Sequence, residues 1–194
     1  MPLFAGILQA IFLSPQHLNG RNCFVMKTQY KVLCVCLGNI CRSPTAEAIL
    51  RHYCDAHGLS VLVDSAGTSN YHPNKVPDAR SQQHATQRGY DLSALRARQI
   101  NLNDFVEFDL ILAMDHENLD DIQALMQKAS QQFGAAQIRA KIALMSEHDP
   151  QFKQQAVPDP YYGGADGFDR VLDQCESSSK AWVEIFKKQI TAGS

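Results

Sequence analysis

The chain has almost no excess charge of either sign: 18 Lys and Arg stand against 20 Asp and Glu, a formal net charge of −2. With no global basic field, nothing directs it to nucleic acid or to anionic membrane, and any anion site has to be local. A long hydrophobic run is also missing. The longest apolar stretch, Leu3 to Leu13, is interrupted by Gln9 and is too short to span a bilayer. No Lys or Arg precedes it and no clear small-residue cleavage site follows, as a secretory signal would need. Residues 1–28 read as an apolar N-terminal extension, with Met26-Lys27 as an alternative start, and 29–194 as one domain. Internal repeats, low-complexity segments and a G-x-x-x-x-G-K-[ST] nucleotide loop are absent too.

Cysteine is present six times, at 23, 34, 36, 41, 54 and 175, without the spacing of a secreted disulfide framework. Reduced thiols in a cytoplasmic protein are the reading this favours, with no stable membrane insertion. Zinc is disfavoured, because Cys34, Cys36 and Cys41 are irregularly spaced and no nearby His completes a site. A hydrophobic fraction of 45% is enough for a sizeable core.

Strand and helix patterns alternate. Lys31–Cys36 (KVLCVC) is a β-branched apolar run ending at Gly38 and reads as a buried strand. Ser43-Pro44 opens a helix whose Ala46, Ile49, Leu50 and Tyr53 share one face, and Gly58 stops it. Val61–Val63 is a second strand running into Asp64-Ser65-Ala66-Gly67. The stretch from Tyr71 to Pro77 reads as a loop, and Asp78 to Arg88 as a helix closed by Gly89. Phe108–Met114 is the third strand, with Asp115 placed to cap a helix through about Lys128; Ile138–Met145 is the fourth. Asp149 to Gly167 is a long Pro- and Gly-rich loop, of the kind that is usually functional, and Phe168 to Ile190 is a final helix. The fold class expected is α/β: an open four-stranded parallel sheet with helices on both faces, and a phosphate loop between the first strand and the first helix. Ligands in such sheets bind beyond the C-terminal strand ends.

The informative segment is Cys36-Leu37-Gly38-Asn39-Ile40-Cys41-Arg42-Ser43-Pro44. Between a strand and a helix N-terminus, backbone N–H groups of a short turn converge on an anion, aided by the helix dipole. Gly38 permits backbone angles that other residues resist, and Asn39 tolerates the left-handed region. Arg42, six residues after Cys36, can fold back and present a planar fork to two phosphate oxygens. The same positive surroundings favour a thiolate at Cys36, and Ser43 is placed to donate to the sulfur. In Val157-Pro158-Asp159-Pro160-Tyr161-Tyr162, Asp159 is either a turn aspartate or a loop acid stiffened by its prolines.

Cys36 to Pro44 followed by Thr45-Ala46-Glu47 resembles the signature of low-molecular-weight protein-tyrosine phosphatases. The likeness continues through Asp64-Ser65-Ala66-Gly67-Thr68, Pro77-Asp78-Ala79-Arg80, Ala97-Arg98-Gln99-Ile100, Phe108–Asp115 and Asp159-Pro160-Tyr161-Tyr162-Gly163, and so covers about residues 30–190. It implies hydrolysis of phosphotyrosine in proteins through a phosphocysteine on Cys36, with Arg42 stabilising equatorial charge and Asp159 as acid and then base. No cofactor or metal is implied. Leu37, Gly38, Asn39, Ile40, Cys41 and Ser43 would bind the phosphate group, Tyr71 and Tyr161 would wall the ring, and Ser65 would support the loop with Asn39 and Ser43. Partners would be phosphotyrosine-containing proteins and a tyrosine kinase. Some members add a histidine to the supporting network; the aligned position here is Ala94. Asp115 reads as a helix cap, and Cys41 as either a loop filler or the partner in a reversible Cys36–Cys41 disulfide. The rivals are an arsenate reductase on the same fold, for which Cys54 and Cys175 lack the close pairing a relay wants, and a non-catalytic phospholigand module.

Overall fold

A computed structural model describes residues 29–161, 163, 164 and 166–192. The expected apolar extension at 1–28 and Tyr162 lie outside the described residues. The chain runs β1 (Tyr30–Cys36), α1 (Arg42–Ala56), β2 (Val61–Gly67), α2 (Ala79–Gln87), α3 (Asp104–Glu107), β3 (Leu110–Ala113), α4 (His116–Phe133), β4 (Lys141–Leu144) and α5 (Asp166–Ala192). The four strands are parallel, in the order β2-β1-β3-β4.

β1 is central, and its side chains alternate between two cores. Val32, Cys34 and Cys36 point to a cluster with Ala46, Ile49 and Leu50 of α1 and Val171, Leu172 and Phe186 of α5. Leu33 and Val35 point the other way, onto Phe105 of α3 and Ile122 and Ala129 of α4. A strand buried on both faces has no polar side to show, which is why KVLCVC reads as a continuous apolar run. The connection from β1 goes to β2 on one side, and β3 lies on its other side. The C-terminal end of β1 is therefore the switch point where a crevice opens.

Several boundaries differ from the sequence expectation. The second strand continues past Val63 to Gly67, because Cys34, Val35 and Cys36 find partners in Ser65, Ala66 and Gly67. The fourth strand starts at Lys141, not Ile138: Gly134 (φ 89) ends α4, and residues 135–137 form a 3-10 turn that delays the strand. α4 runs on past Lys128 to Phe133, and α3 has no counterpart in the expectation.

The long loop before α5 is pinned at its start and near its middle. The Asp149 carboxylate accepts from Gln151 N (2.8 Å), Phe152 N (3.0 Å), Ser177 Oγ (2.9 Å) and Ser178 Oγ (2.6 Å). Val157 N donates to Met114 O at 2.7 Å, which fastens the loop to the C-terminal end of β3. α5 closes one face of the sheet through Phe186, fully buried and in ring contact with Trp182 (5.8 Å) and Tyr30 (5.5 Å). Phe186→Ala is expected to cost about 3–5 kcal/mol. Urea unfolding should show a lower midpoint at unchanged slope, with activity intact below the transition.

Candidate active site

α1 begins at the C-terminal end of β1 without a side-chain cap and without an acidic residue in its first turn. By contrast, Asp78 caps α2 and Asp115 caps α4. The N-terminal dipole of α1 is thus left unneutralised, facing the loop that follows Cys36. Pro44 sits in the first turn, where a missing N–H breaks no helical bond.

The loop is held by side chains, chiefly one amide. Asn39 adopts the left-handed conformation, φ 54. Its Nδ2 donates to Ser43 Oγ (2.9 Å) and Ser65 Oγ (2.9 Å), and its Oδ1 accepts from Arg98 N (2.9 Å). Ser65 Oγ donates in turn to Glu47 Oε2 at 2.7 Å. Burial raises the Glu47 carboxyl above its ordinary value, against the opposing pull of the Ser65 hydrogen bond. The aligned Ala94 is exposed, and the network closes on Glu47.

Cys36 is buried at the floor of the pocket. Asn39 N donates to its Sγ at 3.3 Å, and Ser43 Oγ lies 3.0 Å from the same sulfur. Ser43 also reaches Ala66 O at 3.2 Å. A hydroxyl has one proton, so a neutral thiol leaves it on Ala66 O, whereas a thiolate draws it to sulfur. In either state Asn39 N donates to the sulfur, and Ser43 joins it in the thiolate state.

Arg42 is 4% exposed, and both of its terminal nitrogens are engaged. Nη1 donates to Asp115 Oδ2 and to Val157 O (3.3 Å), and Nη2 donates to Asp159 Oδ2 (3.0 Å). Burial opposes the charge, but Cys36, Asp115 and Asp159 outweigh it and hold the guanidinium above its usual value. Asp115 is therefore more than the helix cap expected from sequence. Oδ1 caps α4 through Asn118 N (2.7 Å), while Oδ2 aims Arg42 into the loop.

A cavity of about 300 Å³ opens over this floor, lined by Cys36, Leu37, Gly38, Ile40, Cys41, Arg42, Tyr71, His72, Asp159 and Tyr161. Of the expected site residues, Asn39, Ser43 and Ser65 stand behind the loop as braces, and the others line the cavity. Tyr71 is a rim aromatic, 72% exposed. Sequence reasoning missed His72, whose ring is the nearest side chain to a Cβ placed on Gly38 (3.2 Å), and the Asp115–Arg42 pair. Its position beside Tyr71 was the available signal for His72; the pair had none, since 73 residues separate its members.

This arrangement is equipped to take a phosphoryl group onto sulfur, the defining act of cysteine-dependent phosphatases. The profile described as Low molecular weight phosphotyrosine protein phosphatase matches residues 31–192. The human low molecular weight phosphotyrosine protein phosphatase is 43% identical over 155 residues, 79% of this chain and 93% of that protein. A protein tyrosine phosphatase from Entamoeba histolytica, crystallised with Hepes in its active site, superposes with a TM-score of 0.73 at 36% identity, covering 82% of this chain and 98% of that one. A Drosophila arginine phosphatase superposes equally well, TM-score 0.73, at 33% identity over 81% of this chain and 98% of that one. The chain belongs to the low molecular weight phosphotyrosine protein phosphatase family.

Asn39→Ala removes three hydrogen bonds and puts an alanine at a positive φ. The loss is expected to be about 2 kcal/mol or more in stability and at least tenfold in kcat/KM. Thermal unfolding and steady-state kinetics measure the two, and a variant with unchanged kinetics would show that the loop does not need this brace.

Proposed function

We propose that Cys36 is the nucleophile of a phosphotyrosine phosphatase reaction, that Arg42 is its phosphate clamp, and that Asp159 is its general acid and then its base. The observation that carries this reading is the meeting of these three side chains in one pocket at the uncapped end of α1. A phosphate dianion settling over Cys36 competes with Asp159 for Arg42 Nη2, and the displaced carboxyl is left beside the leaving-group oxygen. Sulfur attacks phosphorus, the P–O bond to the phenol breaks, and Asp159 supplies the proton the phenolate needs. Arg42 and the loop amides hold the equatorial oxygens throughout. Asp159 then takes a proton from the water that splits phosphocysteine, and Ser43 stabilises the departing thiolate.

The substrate class follows from the walls. Leu37, Ile40, Tyr71 and Tyr161 surround the mouth with apolar and aromatic surface suited to a flat ring. Phosphoserine is too short to carry its phosphate past them to the sulfur. Phosphoarginine is the nearest competitor, given the Drosophila neighbour, and belongs in the same assay. Against an arsenate reductase relay stand Cys54 and Cys175, both buried, with thiols that burial pushes up to about 12.

A reducing compartment such as the cytoplasm suits a free-thiol nucleophile, and a tyrosine kinase is the opposing enzyme in the cycle. Among the described residues, no helix is long and apolar enough to cross a membrane. Cys41 shares the pocket, so a Cys36–Cys41 disulfide would withdraw the nucleophile reversibly. Burial pushes the Cys41 thiol up to about 12, so it would wait as a thiol until a peroxide oxidises Cys36 to the sulfenic acid, then form the disulfide with loss of water.

The wild-type chain should release phosphate from phosphotyrosine peptides with no need of thioredoxin, and faster than from phosphoarginine or phosphoserine. Cys36→Ser should be inactive yet retain phosphotyrosine proteins, and Asp159→Asn should lose about 10²–10⁴ in kcat/KM. Turnover by Cys36→Ser would end the assignment.

A further inference from the structure

Arg80 opens the second position of α2, close to the pocket but absent from its lining. Its guanidinium grips the Asp78 carboxylate twice, Nε to Oδ1 at 3.0 Å and Nη2 to Oδ2 at 2.9 Å. Asp78 is itself fixed to the phosphate loop, since Asp78 N donates to Ile40 O at 2.8 Å. The remaining edge of the fork turns to the acid loop, where Arg80 Nη1 donates to Tyr161 O at 3.3 Å. The same plane lies over two rings, Tyr161 at 5.6 Å and Phe168 of α5 at 4.8 Å. On its other side the Tyr161 peptide donates its N–H to Asp159 Oδ1 at 3.0 Å. A continuous chain of contacts therefore runs from Ile40, through Asp78, Arg80 and Tyr161, to the carboxyl of Asp159.

An exposed Asp–Arg pair on its own contributes little. What distinguishes Arg80 is that one rigid group links two segments, 36–44 (through Asp78) and 157–161, that are far apart in sequence and must meet on opposite sides of the reacting phosphorus, sulfur on one and the acid at the leaving oxygen on the other. Proton delivery demands that accuracy, because a misplacement of about 1 Å is costly to a positioned acid. From this we propose that Arg80 is a positioning residue that sets the height of the acid loop, and with it Asp159, above the phosphate loop. The role rests on the reading of Asp159 as general acid. It is specific to arginine: a lysine keeps the charge but cannot hold a carboxylate bidentately, reach a carbonyl and lie flat against two rings at once.

The test is a leaving-group series, from 2,4-dinitrophenyl phosphate, whose phenolate departs without help, to phenyl phosphate, whose phenolate needs a proton. It is run on wild type, Arg80→Ala, Arg80→Lys, Asp159→Asn and the Arg80→Ala/Asp159→Asn double variant, with inhibition by inorganic phosphate and thermal unfolding measured on each. Arg80→Ala is expected to lose about tenfold in kcat/KM on phenyl phosphate and to stay within about twofold on the dinitrophenyl ester, part of the loss Asp159→Asn shows. Its inhibition by phosphate should stay within about twofold of wild type. Added to Asp159→Asn, Arg80→Ala should cost nothing further, and Arg80→Lys should behave like Arg80→Ala. A uniform loss across the series, a loss that persists in the double variant, or full recovery in Arg80→Lys would overturn the proposal. A steepened series in Asp159→Asn with a flat one in Arg80→Ala strikes Arg80 alone, whereas a flat series in Asp159→Asn removes the acid assignment and the positioning role together.

Discussion

A loop that binds an oxyanion through its own backbone must keep those N–H groups free of internal partners, and so gives up the bonds that normally hold a turn together. Here the deficit is met by the side chain of Asn39, which bonds Ser43, Ser65 and the backbone of Arg98 from within a left-handed turn. Each partner belongs to a different element: the start of α1, the end of β2 and the strap that passes Gly67. The loop is braced because a helix, a strand and a strap converge on one amide, and Glu47 anchors the far end of the hydrogen-bond chain through Ser65. A buried carboxylate is costly, and it is tolerated here because Ser65 and Arg51 both bond it.

Close approach of the strands adds a second constraint. A Cβ at Gly67 would stand 2.7 Å from Leu37 O and 3.1 Å from Asn39 N, so β2 meets the loop backbone directly. Thr68 N and Ser69 N continue the contact by donating to Cys36 O (2.8 Å) and Leu37 O (2.9 Å). The sheet thus extends one strand beyond its formal end to carry the loop. The extension explains why the second strand outlasts its apolar stretch: Asp64 to Gly67 are held by pairing, not by hydrophobic pattern.

Legibility in the sequence followed the range of the interactions. The strand–loop–helix unit around Cys36 is encoded locally, between Lys31 and Pro44, and its apolar strand, its Gly-Asn turn and its early proline each state a local preference. The parallel α/β class follows from periodicity, and the resemblance supplied the residues around it. What stayed hidden is long-range or depends on packing. Asp115 announces a helix cap by its place before an amphipathic run, but its second oxygen is committed to Arg42. Glu47 looks like an ordinary helical glutamate, and only the docking of α1 on β2 buries it beside Ser65. Ile138 belongs to an apolar run, yet Gly134 and the turn after it spend those residues on a corner before β4 begins.

The two halves of the site approach each other by different means, and the difference has a consequence for the chemistry. The thiol half is immobilised by buried side chains, with Cys36, Asn39, Arg42 and Ser43 all less than a twentieth exposed. The half that carries the proposed acid is tied at Val157 to Met114 O and at Tyr161 O to Arg80, with Asp159 and Tyr161 substantially in solvent. A nucleophile gains from being fixed, because thiolate stabilisation depends on donors that do not reorganise. On the proposed roles, the acid has to release Arg42 to phosphate, then give a proton to one oxygen and take one from water, and a solvent-facing carboxyl on a tied backbone has room for those exchanges. With the roles proposed above, the contrast in burial matches the division of labour of a two-step displacement, charge stabilisation in the core and proton transfer on the loop.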